Sequence, residues 1–243
     1  MKLFNRLVIL FILVIGTTGC ESKSEKASRI ILSTLEDRYN EEFVIDSIGN
    51  SWGTSDNSTI KAFAYPVNHK ERMFRVTITK DLSKVEDKYM LVLMEDKLNE
   101  FTEKAYQTDF EKKIHTYIGS DFGSEDYEDM TLEEYFEKNS NTGVVIQIFL
   151  NIEDEENIDK LKEAKTISEF ISTYSSKNYP INNLLIYYMK SEEFDKIMLD
   201  DSKVSDNFAT YMNDEYSYNS LRVKFKDLEG SLDAQTIYDL FRK

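Results

Sequence analysis

The chain holds a single cysteine, Cys20, so no disulfide can form within it and its fold must rest on its core alone. Material for a core is present: hydrophobic residues make up 41% of the 243, with 15 Phe and 15 Tyr. A chain this long buries roughly 70% of the surface it exposes when unfolded. A disordered stalk is therefore excluded, and an ordered body is expected to follow Cys20.

The residues before that cysteine form a leader. Lys2 and Arg6 supply a positive start, Leu7 to Ile15 (LVILFILVI) are all apolar, and Gly16-Thr17-Thr18-Gly19 are small. This order describes an export signal, and the apolar run is short of the roughly 20 residues a membrane-spanning helix needs. Thr17-Thr18-Gly19-Cys20 resembles the bacterial lipobox, with Thr17 standing where that motif most often has Leu. The resemblance implies cleavage before Cys20 and a lipid on it; two or three acyl chains anchor stably, whereas one does not. Residues 1–19 are then the signal peptide and 20–28 a lipidated tether. Glu21 to Ser28 (ESKSEKAS), read as extended, reach at most about 28 Å. The richness in Lys, Asn, Ile and Tyr resembles that of Gram-positive bacterial proteins, which points to an outward-facing cell-membrane lipoprotein.

Charge narrows the partners. Removing residues 1–19 takes away Lys2 and Arg6, so the 30 basic residues fall to 28 against 45 acidic, a balance of −17. Such a balance repels phosphate backbones and anionic head groups, which argues against nucleic acid and against broad electrostatic adhesion to a membrane. Solubility, a cation or a cationic protein partner remain compatible.

Periodicity predicts an α+β fold. Ile31, Leu35 and Tyr39 recur on one helical face, giving a first helix over 26–39. Phe43-Val44-Ile45, Thr59 to Tyr65 and Met73 to Lys80 read as strands of an antiparallel meander; in the last, Phe74, Val76 and Ile78 alternate with Arg75, Thr77 and Thr79. A long helix over 86–106 carries Met90, Met94, Leu98 and Phe101, a stripe that fits either plain core or an adaptable binding face. Beyond it the pattern alternates. Lys113 to Ile118 reads as a strand, and Thr131 with Glu134 as a capping box. Val144 to Leu150 reads as a central strand covered on both faces. Helical material runs over 155–176, divided near Lys165 by a second box at Thr166 and Glu169. Leu184 to Met189 form another buried strand, Ser191 starts a helix, and Ser231 caps a last one. Leu221, Val223 and Phe225 alternate with Arg222, Lys224 and Lys226, a strand with one basic face. The expected organisation is an N-terminal helix–meander–helix subdomain over 29–118, an acidic loop at 119–130, and an alternating α+β subdomain over 131–243.

Leu35-x3-Tyr39-x2-Glu42-Phe43-x-Ile45, then Ala62-x-Ala64-x-Pro66 and the strand at Phe74, is similar to small uncharacterised lipoproteins of Gram-positive bacteria over roughly residues 30–105. Lipoproteins of this kind include immunity and exclusion factors, so the resemblance implies such a role.

Chemistry is sparse. His69 and His115 lack ligand-spaced partners, which speaks against zinc, and no P-loop, dinucleotide or nucleophile-elbow glycine pattern occurs. No catalytic residue, metal ligand or cofactor is nominated. Asp121, Glu125, Asp126, Glu128 and Asp129, with Glu133 and Glu134 beyond, form an acidic segment without a basic residue. It reads as a solvated face, a calcium loop lacking the EF-hand glycine, or a docking surface for a cationic protein. Glu153-Asp154-Glu155-Glu156 is a second acidic run leading into a helix. Trp52, in the polar 49–58 turn region, is either a binding anchor or a cover for a sheet end. The expectation is a non-enzymatic lipoprotein binding a secreted or surface protein through Trp52 and the acidic loop. The alternative is a wall-active hydrolase or small-ligand-binding lipoprotein.

Overall fold

In the computed structural model, residues 22–49, 58–119, 130–140, 142–197, 216–225 and 232–241 are described. They form an α+β protein that divides into two compact units, at Asp87 and Lys88.

The first unit opens on helix α1, Lys23–Tyr39. It starts earlier than apolar periodicity suggests, because Ser22 and Glu25 close a capping box: Ser22 Oγ accepts from the Glu25 amide and Glu25 Oε2 accepts from the Ser22 amide at 2.7 Å. Ala27, Ile31 and Leu35 are fully buried on its inner face. The expected eight-residue tether is thereby corrected, since the body begins at Ser22, two residues past Cys20. Asn40 ends the helix in the left-handed region, which Asn tolerates better than most residues. Strands β1 (Phe43–Gly49), β2 (Thr59–Pro66), β3 (Phe74–Thr79) and β4 (Val85–Asp87) pair antiparallel in sequence order. Phe74, Val76 and Ile78 point inward as their alternation requires, opposite Ala64, Ala62 and Ile60 of β2. A bulge between Ile45 and Ser47 breaks the regularity of edge strand β1, a common protection against unwanted pairing. β4 lies where sequence periodicity extended the long helix back to residue 86.

The second unit is built on a mixed sheet in the order β5-β6-β7-β8: Lys112–Gly119, Gly143–Ile152, Ile181–Lys190 and Ser217–Lys224. β6 and β7 run parallel, joined through helix α4 (Lys160–Ser176), and the two outer pairings are antiparallel. Helix α2 (Tyr89–Ala105) belongs to this unit. Sequence places the domain boundary at 119–130, but β5 pairs along its whole length with β6, so 112–119 cannot be separated from the sheet of the second unit. α2 lies along the outer edge of β5, where Glu95 accepts a hydrogen bond from the Ile118 amide at 2.8 Å and Thr116 Oγ1 donates to the Glu95 carbonyl at 3.2 Å. A side chain thus occupies part of an edge that would otherwise invite another strand.

One face of this sheet carries Ile146, Ile148, Leu150, Leu184, Ile186 and Tyr188, all fully buried. On that side Tyr174 of α4 meets Phe101 of α2 edge-to-face at 4.9 Å, and Tyr188 lies 5.8 Å from Phe241, just past helix α6 (Ala234–Leu240). Such aromatic pairs add about 0.5–1.5 kcal/mol each beyond area burial, which suits a core without cross-links. The opposite face holds Phe149 stacked on Tyr187 at 5.0 Å, with Leu185, Met189 and, from the end of short helix α5 (Ser191–Phe194), Phe194. β6 is therefore covered on both faces, as its continuous apolar run requires.

Helix α3 (Leu132–Lys138) carries the Thr131–Glu134 capping box. The second box does not form. α4 runs unbroken through Thr166, with Asp159 as its cap, because Ala164, Ile167, Phe170, Ile171 and Tyr174 keep one buried stripe in phase across the predicted break. The last helix is capped by Asp233, whose Oδ1 accepts from the Thr236 amide at 2.8 Å, rather than by Ser231.

Candidate functional site

Cys20, Trp52, Asp121, Glu125, Asp126, Glu128 and Asp129 all lie outside the described residues. Their surroundings are fixed at a few points. The acidic segment leaves Gly119 at the end of β5 and returns at Met130, which is buried and whose carbonyl accepts from Lys97 Nζ of α2 at 2.7 Å. Glu133 and Glu134 fall within α3, where Glu134 serves the capping box and Glu133 accepts from the Tyr179 hydroxyl at 2.9 Å. In the second acidic run, Asp154 caps a 3-10 turn over Glu155–Asn157. Among the described residues no cluster of three or more His, Cys, Asp or Glu side chains could hold a metal ion.

The histidines are far apart in kind. His69 sits in the β2–β3 turn beside Glu71 at 2.9 Å. His115 is 5% exposed in β5, opposite Gln147, and burial pulls its pKa down to about 4. A neutral imidazole in a sheet interior is a core group.

The buried carboxylate of Glu163 has no signature in the sequence. It lies inside α4 and accepts hydrogen bonds from the hydroxyls of Tyr106 at 3.2 Å and Tyr188 at 3.3 Å. Burial raises its pKa, and the two hydroxyls offset part of that. Burial also raises the pKa values of both tyrosines, with the Glu163 charge adding to the effect. Glu163 is 3% exposed and both tyrosines 0%, so the trio joins α4, β7 and the end of α2 from within the core. The partners lie 57 and 25 residues away, a separation that leaves no periodic trace.

An opening with a ligand's dimensions lies elsewhere among the described residues. A cleft of about 360 Å³ is lined by Ile181, Asn182 and Asn183 of β7 and by Arg222 and Lys224 of β8. Lys224 is the cross-strand partner of Asn183, and Arg222 Nη2 donates to Asn183 Oδ1 at 3.3 Å. The β6–β7 register slips between Val144 and Val145, whose partners are Ile181 and Asn183, so Asn182 is the extra residue of a bulge. Bulges re-aim side chains, and this one brings consecutive asparagines to the same cleft. Asn182 lies over Gly143, where an added Cβ would fall 2.2 Å from its Nδ2. The cross-strand row through Asn183 continues via Val145 to Tyr117, which is 47% exposed. The basic face of β8 was legible from its alternation. Its partners on β7 were not, because strand order is set by non-local pairing.

No family model matches the chain, and no curated protein matches it. A crystal structure of a DUF5037 family protein from Ruminococcus gnavus ATCC 29149 superposes at a TM-score of 0.46 and 17% identity, covering 71% of this chain and 80% of that one. A likeness at that level carries no argument about function.

Proposed function

We propose that this chain is a lipid-anchored protein of the outer membrane face, where it binds a secreted or cell-surface protein as an immunity or exclusion factor does. The observation that carries the anchor is the leader, which ends on the sole cysteine. The fold adds a point of geometry. With α1 capped at Ser22, a single residue, Glu21, separates the cap from Cys20, a reach of roughly 7 Å rather than the 28 Å of an extended tether. The body is then held at the bilayer surface. No described helix is long and apolar enough to cross a membrane.

Three measurements test this reading. Cys20→Ala should move the protein from the membrane fraction into the soluble exported fraction, and intact-mass analysis of the native protein should find a chain beginning at acylated Cys20. An unmodified native chain beginning at Met1 rejects the anchor. The −17 balance predicts that partner capture weakens as salt rises, since charge complementarity steers association. Capture of the same strength at low and high salt rejects charge-steered binding. A second reading, small-ligand binding, is favoured by the polar cleft between β7 and β8.

A further inference from the structure

We propose that the anchored end of the first unit seats on anionic lipid head groups through Lys23, Lys26, Lys61 and Lys80, so that the bilayer fixes the orientation of that unit as well as its position. This rests on the lipid-anchor reading and names the surface that the anchored body meets.

The unequal division of charge is the first argument. From Cys20 to Asp87 the chain carries 10 basic residues against 12 acidic, whereas residues 88–243 carry 18 against 33. The balance of −17 that opposes adhesion of the whole body therefore resides almost wholly in the second unit. The first unit is close to neutral, and the placement of its cations decides what it can approach.

That placement is the second argument. Tyr39 meets Phe43 edge-to-face at 6.0 Å and Arg38 pairs with Asp87, so the C-terminus of α1 lies by the start of β1 and the end of β4. Packed on β1, the 17-residue helix runs back for about 25 Å, against about 23 Å for the seven-residue strand. Ser22, and Cys20 two residues before it, thus lie toward the Gly49 end of the sheet. Lys23 and Lys26 stand in the first turns of the helix at that end. The same end holds Lys61, the cross-strand partner of Gly49, and Lys80, whose amide donates to the Ser58 carbonyl at 2.8 Å.

Availability is the third. Lys23, Lys26 and Lys61 are exposed and Lys80 is half-buried, and none of the four side chains pairs with another group among the described residues. The described carboxylates beside them are engaged: Glu25 by the Ser22 amide, Asp81 by the Ser83 amide and hydroxyl, and Glu86 by Lys84 at 2.8 Å. Glu21 and Asp56 belong to segments outside the described residues. A lysine carries its ammonium outward on a long flexible stem, beyond the reach of a short carboxylate held in a cap or turn, so head groups meet the cations first.

The test uses the native lipidated protein reconstituted into vesicles of phosphatidylcholine, with or without phosphatidylglycerol. A membrane-impermeant amine reagent is applied and its attachment is read lysine by lysine by mass spectrometry. Lys70, exposed in the β2–β3 turn at the opposite end of the sheet, is the internal reference. On the anionic vesicles the four lysines should label about three- to fivefold more slowly than on the neutral ones, with Lys70 unchanged. The protection should vanish in about 1 M salt, where the screening length falls to about 3 Å. Lys61→Gln combined with Lys80→Gln should at least halve the protection of Lys23 and Lys26. Equal labelling of the four lysines on both vesicles, or protection of Lys70 as large as theirs, overturns the docking and leaves the anchor standing. Protein that floats with neither vesicle overturns both.

Discussion

Replacing Arg38 with Met is expected to destabilise the first unit by about 3 kcal/mol, at the lower end of what removing one partner of a buried ion pair costs. Arg38, in the last turn of α1, pairs its Nη1 with Oδ2 of Asp87 in β4, while the Tyr39 hydroxyl donates to Asp87 Oδ1 at 2.8 Å. The Asp87 side chain is completely buried and that of Arg38 is 28% exposed. That asymmetry decides the outcome. Without Arg38 the carboxylate stays in the interior and loses the countercharge that the guanidinium supplies. Without the carboxylate charge, as in Asp87→Asn, the guanidinium can turn toward water and Tyr39 keeps an acceptor. The second substitution should therefore cost less, about 1–2 kcal/mol. Arg38 also lies where a cation suits the helix dipole, which adds a few tenths of a kcal/mol. Amide exchange at Val76 and Ile78, in the strand paired to β4, reads both losses within the first unit. Equal costs for the two variants would show that the pair behaves as a solvated surface bridge.

The contrast between local and non-local information explains which parts of this architecture could be read from sequence. The alternation at Phe74, Val76 and Ile78 and the Thr131–Glu134 box are local, and both appear where expected. The capping-box pattern shows where local information stops. Ser22-x-x-Glu25 forms a cap although apolar periodicity alone placed it in a tether, and Thr166-x-x-Glu169 forms none although the residue types fit. An N-cap requires extended backbone, and at Thr166 the helix has more to gain by continuing, since Ala164 and Ile167 on either side are both fully buried. The unit boundary depends on β5 choosing β6, a choice the strand's own sequence does not encode. The cleft is divided the same way: Arg222 and Lys224 declare themselves by period two, while the bulge at Asn182 exists only once β7 has met β6.

The second unit should respond to acid through two buried groups of opposite sign. In the unfolded chain His115 takes up a proton near pH 6.5, but in the sheet it resists until about pH 4. Between those values the unfolded state binds more protons, so stability contributed by neutral His115 is present above pH 6.5 and is lost as pH falls toward 4. The ceiling is about 3 kcal/mol, from a gap of roughly two and a half pH units. Glu163 works the other way. Its unfolded carboxyl ionises near 4.5 and its buried one later, so its contribution is present below pH 4.5 and is lost as pH rises through the raised folded value. The two windows overlap, and the unsubstituted chain shows their difference together with the stability that surface carboxylates of lowered pKa, such as Asp109 and Glu133, add as pH rises. Single variants separate them in urea unfolding at pH 4, 5, 6 and 7. His115→Asn should reduce the rise in stability with pH and make the fall due to Glu163 more visible. Glu163→Gln should steepen the rise. It should also leave the protein at least as stable at pH 7, because the amide oxygen still accepts from Tyr106 and Tyr188 without a buried charge. A His115→Asn chain that gains as much stability from pH 4 to 6.5 as the unsubstituted chain would place the acid-sensitive proton on another group.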